Sequence, residues 1–268
     1  MAEEIKDWDD AYANGAHIPG AADYPPKWEV AAKAYRADTR ADLDIAYGDH
    51  PRQRFDLFWP EDVPKGLAVF VHGGYWLKFD KSSWSHLAEG ARAQGWAVAL
   101  PSYVLAPEAR ISEMTEMVGV AIAAAAAKVA GPIHLAGHSA GGHLVSRMAC
   151  TDAPLPHDVV DRVARVLSIS GLHDLRPLLQ TSMNDGLRMD DAEAKAESAA
   201  LCAPRVSTEI FAWVGADERP EFVRQTELLK DAWAGQTSVE TMIEPGRHHF
   251  DVIEGLSEPD SSITRAFV

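Results

Sequence analysis

The sequence predicts an α/β fold, in which one mostly parallel sheet of eight strands is flanked by helices. Short apolar windows alternate with helical windows at 82–94, 112–130, 140–149 and 221–234, as expected when helical crossovers join parallel strands. Several of the apolar windows have no polar residue, as at 67–71, which is typical of strands buried on both faces. The predicted strands are 43–47, 54–59, 67–72, 97–103, 133–137, 165–170, 209–215 and 239–243.

The order of these windows also predicts the start of the sheet and the domain organisation. No helical window separates the first two strands, so we expect an antiparallel start. The 268 residues contain no internal repeat, linker or break in composition. Residues 1–268 are therefore expected to form a single α/β domain.

Residues 1–40 precede the predicted sheet and form an N-terminal helical arm. A helix is expected to start at Pro25 and Pro26, because proline is favoured in the first helical turn. The segment carries five large aromatic side chains: Trp8, Tyr12, Tyr24, Trp28 and Tyr35. The sequence leaves two roles open, an arm packed on the core or a cap over a functional site.

Charge and composition narrow the range of partners. The formal net charge of −15 at pH 7 leaves little basic surface for phosphate groups, so a nucleic-acid partner is not expected. The first residues show no basic segment followed by an apolar stretch, and the apolar run at 118–127 is too short to span a bilayer. We expect a cytoplasmic protein without a membrane partner, which binds a small-molecule substrate, and a homodimer is left open.

Ser139 is the predicted nucleophile. Residues 137–141 read G-H-S-A-G, with a plausible buried strand before them and a plausible helix after them. In this context, the G-x-S-x-G pattern predicts a sharp strand-to-helix turn that exposes a serine. Glycine on both sides removes side chains that would clash in such a turn. The alternative reading is a glycine-rich turn whose serine only caps the helix.

A second glycine-rich turn is the predicted oxyanion hole. The buried strand at 67–71 runs into the sequence H-G-G-Y-W at 72–76, where esterases of this type place backbone donors. The candidate donors are the backbone N–H groups of Gly74, Tyr75 and Ala140. His72 is expected to brace this loop. The aromatic rings of Tyr75 and Trp76, with Trp28 or Tyr24 of the arm, are candidate substrate contacts.

The predicted acid and base follow the nucleophile in the chain. Asp217 comes directly after the strand at 209–215, at the edge where parallel sheets bind ligands. Its neighbour Glu218 is disfavoured because it begins the polar approach to the next helix, and Asp174 is the rival acid. His249, in the loop after the last strand, is the predicted base, and His248 is expected to be a solvated neighbour.

Metal and cofactor sites are not expected. His134 and His138 are four residues apart but belong to a strand and a turn, so they share no helix face. Cys150 and Cys202 match no disulfide or metal-ligand spacing and are expected to be buried or partly buried free thiols. A serine hydrolase of this kind needs neither a metal nor a cofactor.

Taken together, these residues resemble the α/β-hydrolases related to hormone-sensitive lipase, and among them the bacterial kynurenine formamidase (arylformamidase) group. The resemblance covers nearly the whole chain. It is carried by H-G-G-Y-W at 72–76, G-H-S-A-G-G-H-L at 137–144, V-G-A-D-E at 214–218 and H-F-D at 249–251. The last of these motifs is the reason to choose His249 over His248.

The resemblance implies a function in tryptophan catabolism, the hydrolysis of an aryl formamide such as N-formylkynurenine. Two alternatives remain. One is a carboxylesterase or thioesterase that acts on small acyl substrates with the same residues. The other is an α/β-hydrolase that binds a ligand without catalysis, which usually lacks a triad residue, whereas Ser139, Asp217 and His249 are all present here.

Overall fold

In the computed structural model, which describes residue 5 and residues 7–268, eight strands form one sheet. Their order across the sheet is β1-β2-β4-β3-β5-β6-β7-β8. The first two pairings are antiparallel, and the strands from β4 onward run parallel. The strands are β1 (Ala41–Ala46), β2 (Arg54–Phe58), β3 (Leu67–Val71), β4 (Ala97–Pro101), β5 (Ile133–His138), β6 (Val163–Ile169), β7 (Glu209–Gly215) and β8 (Val239–Glu244). The predicted mostly parallel sheet and its antiparallel start are confirmed.

Helices cover both faces of the sheet and precede it. They are α1 (Trp8–Tyr12), α2 (Tyr24–Asp38), α3 (Glu89–Ala93), α4 (Ile111–Ala126), α5 (Ala140–Met148), α6 (His157–Val160), α7 (Asn184–Leu187), α8 (Asp191–Ala196), α9 (Pro220–Trp233) and α10 (Ser262–Phe267). Among the described residues, no helix has the length and apolar character that crossing a bilayer requires.

One predicted helix, at 82–94, is broken in the structure. Two 3₁₀ segments, Lys81–Ser83 and Ser85–Ala88, come before the short α3. Trp84 joins them with a non-helical backbone (φ −132°, ψ 24°), and its side chain is buried against Trp28, with ring centroids 5.1 Å apart. Packing of this indole thus accompanies the break in a stretch whose local sequence favours a helix.

The core lies on both sides of the sheet because the central strands are buried on both faces. In β3, Leu67, Val69 and Val71 pack into one apolar cluster, and Ala68 and Phe70 into the other. Successive side chains of a strand point to opposite faces, so a strand between two helical layers must be apolar throughout. This explains the uninterrupted apolar runs in the sequence.

The N-terminal arm packs on the core through α1 and α2; residues 1–4 and 6 of the predicted arm lie outside the described residues. Tyr12 is buried and donates a hydrogen bond from its hydroxyl to Glu221 of α9, at 2.8 Å. Tyr35 of α2 donates to Glu89 of α3, also at 2.8 Å. These bonds fix the arm to two helices of the sheet layers.

Candidate active site

Ser139 lies on the turn between β5 and α5, in a backbone conformation that side chains rarely adopt (φ 55°, ψ −117°). Its backbone N–H donates to the carbonyl of Ile169 at 2.8 Å. The flanking glycines are required sterically. A Cβ on Gly137 would lie 2.2 Å from the Gly141 carbonyl oxygen, and one on Gly141 would lie 2.0 Å from that of Val71. The turn therefore has the strained form that presents a serine at a helix N-terminus.

The loop after β3, which is predicted to form the oxyanion hole, has an unusual backbone conformation. Gly74, Tyr75 and Trp76 all have positive φ, at 110°, 57° and 59°. Within the described part of the chain, the backbone N–H groups of Gly74 and Tyr75 donate no hydrogen bond. Ala140 is the first residue of α5, so its N–H is among those that a helix leaves without an internal acceptor. All three candidate donors are thus free to face a developing negative charge.

The structure corrects the prediction for the acid, because the carboxylate beside His249 is that of Glu218 and not that of Asp217. The Glu218 Oε2 lies 2.6 Å from His249 Nδ1, and the Glu218 side chain is fully buried. Its Oε1 accepts hydrogen bonds from the Ser170 hydroxyl at 2.6 Å and from the Gly215 N–H at 2.9 Å. Asp217 is exposed. The turn after β7 directs the second of the two acidic side chains inward.

The rival acid, Asp174, also lies elsewhere. Its carboxylate accepts hydrogen bonds from the Arg176 guanidinium at 2.9 and 2.8 Å. This ion pair lowers the pKa of Asp174 although burial acts to raise it. Asp174 thus has a structural partner of its own.

His249 is buried in the loop that follows β8. Its ring packs between those of His138 and Phe222, each with a centroid separation of 4.6 Å. With Nδ1 bonded to the Glu218 carboxylate, the proton on that atom leaves Nε2 as the acceptor, which is the tautomer that a general base requires.

The neighbouring His248 is engaged differently. Its Nε2 lies 3.1 Å from the Tyr24 hydroxyl of α2, and Asp251 accepts a hydrogen bond from its backbone N–H at 2.7 Å. Instead of being a solvated loop residue, His248 connects the N-terminal arm to the loop that carries His249.

Ser139 and His249 line the same cavity, of about 230 Å³. Among the described residues, no hydrogen bond joins the Ser139 hydroxyl to His249. Hydrogen bonds between catalytic groups are often long or misaligned without substrate and tighten when it binds. The shared cavity brings the predicted nucleophile and base together.

The cavity walls are mainly aromatic, and they include the arm. The aromatic lining residues are Trp28, Tyr75, Phe79, Trp84 and Phe250. Gly15 and Pro25 of the arm line it as well. The arm therefore packs on the core and also roofs the cavity, which answers the question that the sequence left open. Lys78 adds a positive charge to the lining.

Trp76 corrects another expectation. Its side chain is 1% exposed and packs edge-on against His143, with ring centroids 5.3 Å apart, so it belongs to the core and not to the cavity. Phe79 and Phe250 were missed as lining residues. Both signals were available in the sequence, because Phe79 closes the glycine-rich loop and Phe250 directly follows His249.

Two further histidines, His72 and His138, are buried beside the site. His72 stacks on Tyr103 with ring centroids 4.5 Å apart, and its Nδ1 lies 2.7 Å from the Gly73 carbonyl oxygen. Burial lowers the pKa of His72 to about 4. Burial, with the nearby His249, also holds the pKa of His138 well below its usual value. Both are neutral at pH 7, and His72 has the bracing contacts expected of it.

The sheet order and the strained turn at Ser139 are those of one enzyme class. The alpha/beta hydrolase family matches residues 68–260 of this chain. The chain belongs to this family, and the protein is a hydrolase.

The relatives are more specific. The chain is 30% identical to the kynurenine formamidase of Danio rerio over 245 residues, which are 86% of this chain and 82% of that protein. It is 28% identical to the kynurenine formamidase of Salmo salar over 237 residues, or 83% and 79%. A crystal structure of a "putative thioesterase" from Silicibacter sp. matches with a TM-score of 0.94 and 52% identity, over 97% of this chain and 98% of that one. The predicted resemblance to kynurenine formamidases is confirmed.

Proposed function

We propose that the protein hydrolyses aryl formamides of the N-formylkynurenine type, in which a formylated aromatic amine carries an amino-acid side arm. The observation that carries the proposal is the aromatic cavity beside Ser139, closed on one side by the N-terminal arm. Flat aromatic side chains suit an aryl ring, which can stack on them or contact them edge-on. The kinship with two kynurenine formamidases supports the same substrate class.

The reaction begins with transfer of the formyl group to Ser139. His249 takes the hydroxyl proton as the serine oxygen attacks the formyl carbon, and Glu218 stabilises the imidazolium that forms. The N–H groups of Gly74, Tyr75 and Ala140 stabilise the oxyanion. The intermediate collapses as the C–N bond breaks, and His249 gives its proton to the departing aryl amine.

Hydrolysis of the formyl-enzyme completes the cycle. His249 takes a proton from water, whose oxygen attacks the formyl carbon. His249 then returns this proton to the Ser139 oxygen as the bond between that oxygen and the formyl carbon breaks. The products are formate and the free aryl amine. A formyl carbon carries only hydrogen, so the enzyme can use its binding energy on the leaving group, which is the aromatic part.

Lys78 gives the cavity a place for a negative charge. The chain as a whole has a net charge of −15, which disfavours an anionic substrate unless a cation stands near it. Within the described residues, Lys78 makes no ion pair within 4 Å, whereas the salt-bridged cations lie elsewhere. An amino-acid carboxylate on the leaving group is therefore suited to the Lys78 side of the cavity.

A thioesterase or carboxylesterase is the second candidate, and the 52% identical Silicibacter protein favours it. The chemistry at Ser139 would be the same. The leaving group would differ, since a large acyl thioester releases a thiol carrier with several phosphates. Binding of those phosphates would require a basic surface near the cavity. Among the described lining residues of the cavity, Lys78 is the one lysine or arginine side chain.

A substrate panel distinguishes the candidates. It compares kcat/KM for N-formylkynurenine, p-nitrophenyl acetate, butyrate and hexanoate, and acetyl and butyryl thioesters. The proposal predicts the highest value for the formamide and falling values as the acyl chain lengthens, by about 1–3 kcal/mol per methylene at most. If a butyryl or hexanoyl ester or a thioester is turned over best and the formamide not at all, the formamidase proposal fails.

A further inference from the structure

The two free cysteines lie on neighbouring segments that are hydrogen-bonded to each other. Cys150 comes just after α5, and Cys202 follows a 3₁₀ turn at Ala199–Leu201. An isolated antiparallel bridge pairs Cys150 with Pro204. Beside it, the Thr151 N–H donates to the Ala203 carbonyl at 2.9 Å. These backbone hydrogen bonds therefore hold the two cysteines close to each other in the folded protein.

Their side chains meet in a thiol cluster, which consists of Cys150, Asp152 and Cys202. The two Sγ atoms and one carboxylate oxygen of Asp152 all lie within 4.8 Å of one another. The two thiols differ in access, since Cys150 is buried and Cys202 is partly exposed. A reactive thiol needs access, and a buried neighbour can resolve its oxidised form.

Arg147 sets the charge of the cluster. Its guanidinium is 5% exposed and donates two hydrogen bonds of 3.0 Å to the Asp152 carboxylate. The neighbouring Cys150 thiol, with help from the Arg147 charge, lowers the pKa of Cys202 to about 7. The same neighbour and burial raise the pKa of Cys150. The partly exposed thiol of Cys202 is thus the better nucleophile of the two at neutral pH.

A metal ion is less suited to this cluster than oxidation is. Both oxygens of Asp152 are already bonded to Arg147, and a divalent cation would lie beside a guanidinium that cannot lose its proton. A disulfide carries no charge and leaves the Arg147–Asp152 pair intact. We propose that Cys202 and Cys150 form a reversible disulfide when the protein meets a peroxide.

The step balances with peroxide as the two-electron oxidant. The Cys202 thiolate attacks one peroxide oxygen, the O–O bond breaks, and hydroxide leaves and takes up a proton. The Cys150 sulfur then attacks the sulfur of the Cys202 sulfenic acid, and the S–O bond breaks. Water leaves with the Cys150 proton, so two thiols and one hydrogen peroxide give one disulfide and two waters. A dithiol reductant reverses the change.

The disulfide would join the end of the nucleophile helix α5 to the segment before β7. It closes a loop of about 50 residues, which restricts the unfolded chain and should raise the unfolding temperature by about 5 °C. Neither cysteine lines the cavity at Ser139. The inference therefore stands apart from the proposed substrate.

The test uses the full-length protein, hydrogen peroxide and N-ethylmaleimide, and the maleimide is added in urea because Cys150 is buried in the folded protein. After peroxide, the intact mass should fall by about 2 Da for the lost hydrogens, maleimide should add to neither cysteine, and a peptide map should show Cys150 joined to Cys202. Dithiothreitol should restore both maleimide adducts. Cys202→Ser should abolish the mass loss, and Cys150→Ser should leave a dimedone-reactive sulfenic acid at Cys202.

Three results would overturn the proposal. The first is two maleimide adducts after peroxide in the wild type, and the second is a disulfide only between chains. The third is tight binding of one zinc ion that protects both thiols from peroxide, which would make the cluster a metal site. Circular dichroism of both serine variants checks that each one is folded.

Discussion

Replacing Glu218 with glutamine tests how the base is held. The Glu218 Oε1 accepts from the Gly215 N–H and the Ser170 hydroxyl, and Oε2 meets His249 Nδ1 at 2.6 Å. In Glu218→Gln, the amide oxygen must stay on the Gly215 side, because an NH₂ there would face another donor. The NH₂ then points at His249 Nδ1, which must give up its proton. The proton moves to Nε2, and the base can no longer accept from Ser139.

The expected loss of kcat in Glu218→Gln follows from the wrong tautomer of His249. The corresponding acid-to-amide change in a serine protease triad lowers kcat by about 10⁴-fold, or about 5 kcal/mol of transition-state stabilisation. Steady-state kinetics on N-formylkynurenine and on p-nitrophenyl acetate should both show this loss, with thermal unfolding near that of the wild type. Asp217→Asn is the matched control, since Asp217 is exposed, and it should change kcat less than twofold. A larger loss in Asp217→Asn than in Glu218→Gln would refute the assignment.

Three further predictions concern neighbouring groups. His249→Ala should lower kcat by about 10⁴-fold or more. His248→Ala should keep most of the activity, because the His248 ring contacts Tyr24. The reverse pattern would exchange the roles of the two histidines. Lys78→Met should lower kcat/KM for the carboxylate-bearing formamide about 5-fold relative to neutral formanilide. The control Lys27→Met removes a charge outside the cavity and should leave this ratio unchanged. Equal effects of Lys78→Met on both substrates would exclude a carboxylate contact. Burial lowers the pKa of His72 from 6.5 to about 4, so the unfolded chain binds more protons below pH 6.5. The stability present above pH 6.5 should therefore fall with pH, by about 2 kcal/mol from this residue at pH 5; urea midpoints that do not change between pH 7 and 5 would contradict it.

Much of the fold could be predicted because its central strands are buried on both faces. A strand such as β3 (Leu67–Val71) must then be apolar throughout, and that pattern is visible without any tertiary information. The prediction of one continuous helix at 82–94 was wrong, because only Glu89–Ala93 is α-helical and a tertiary contact accompanies the break before it. Trp84 is buried against Trp28, a residue more than fifty positions away in the chain, and local sequence does not report such contacts.

The residues of the site could be predicted where a motif determines the backbone conformation. They were harder to predict where tertiary contacts determine the orientation of a side chain. The glycines around Ser139 are required by contacts under 2.5 Å, so the motif and the geometry agree. Asp217 and Glu218 are adjacent in the chain. Which of their carboxylates points inward depends on the turn after β7 and on the hydrogen-bond donors of Ser170 and Gly215. Trp76 follows two residues with positive φ, and this turn directs its ring into the core.

The proposed reaction depends on Ser139 as the nucleophile, and covalent labelling of this serine is a direct test. The native protein is treated with a fluorophosphonate, digested, and mapped by mass spectrometry, with Ser139→Ala as the matched control. The strained turn and the cavity at Ser139 predict one adduct, on the peptide that contains Ser139, and none in the variant. An adduct on another residue of the wild type, or equal labelling of Ser139→Ala, would show that Ser139 is not the nucleophile.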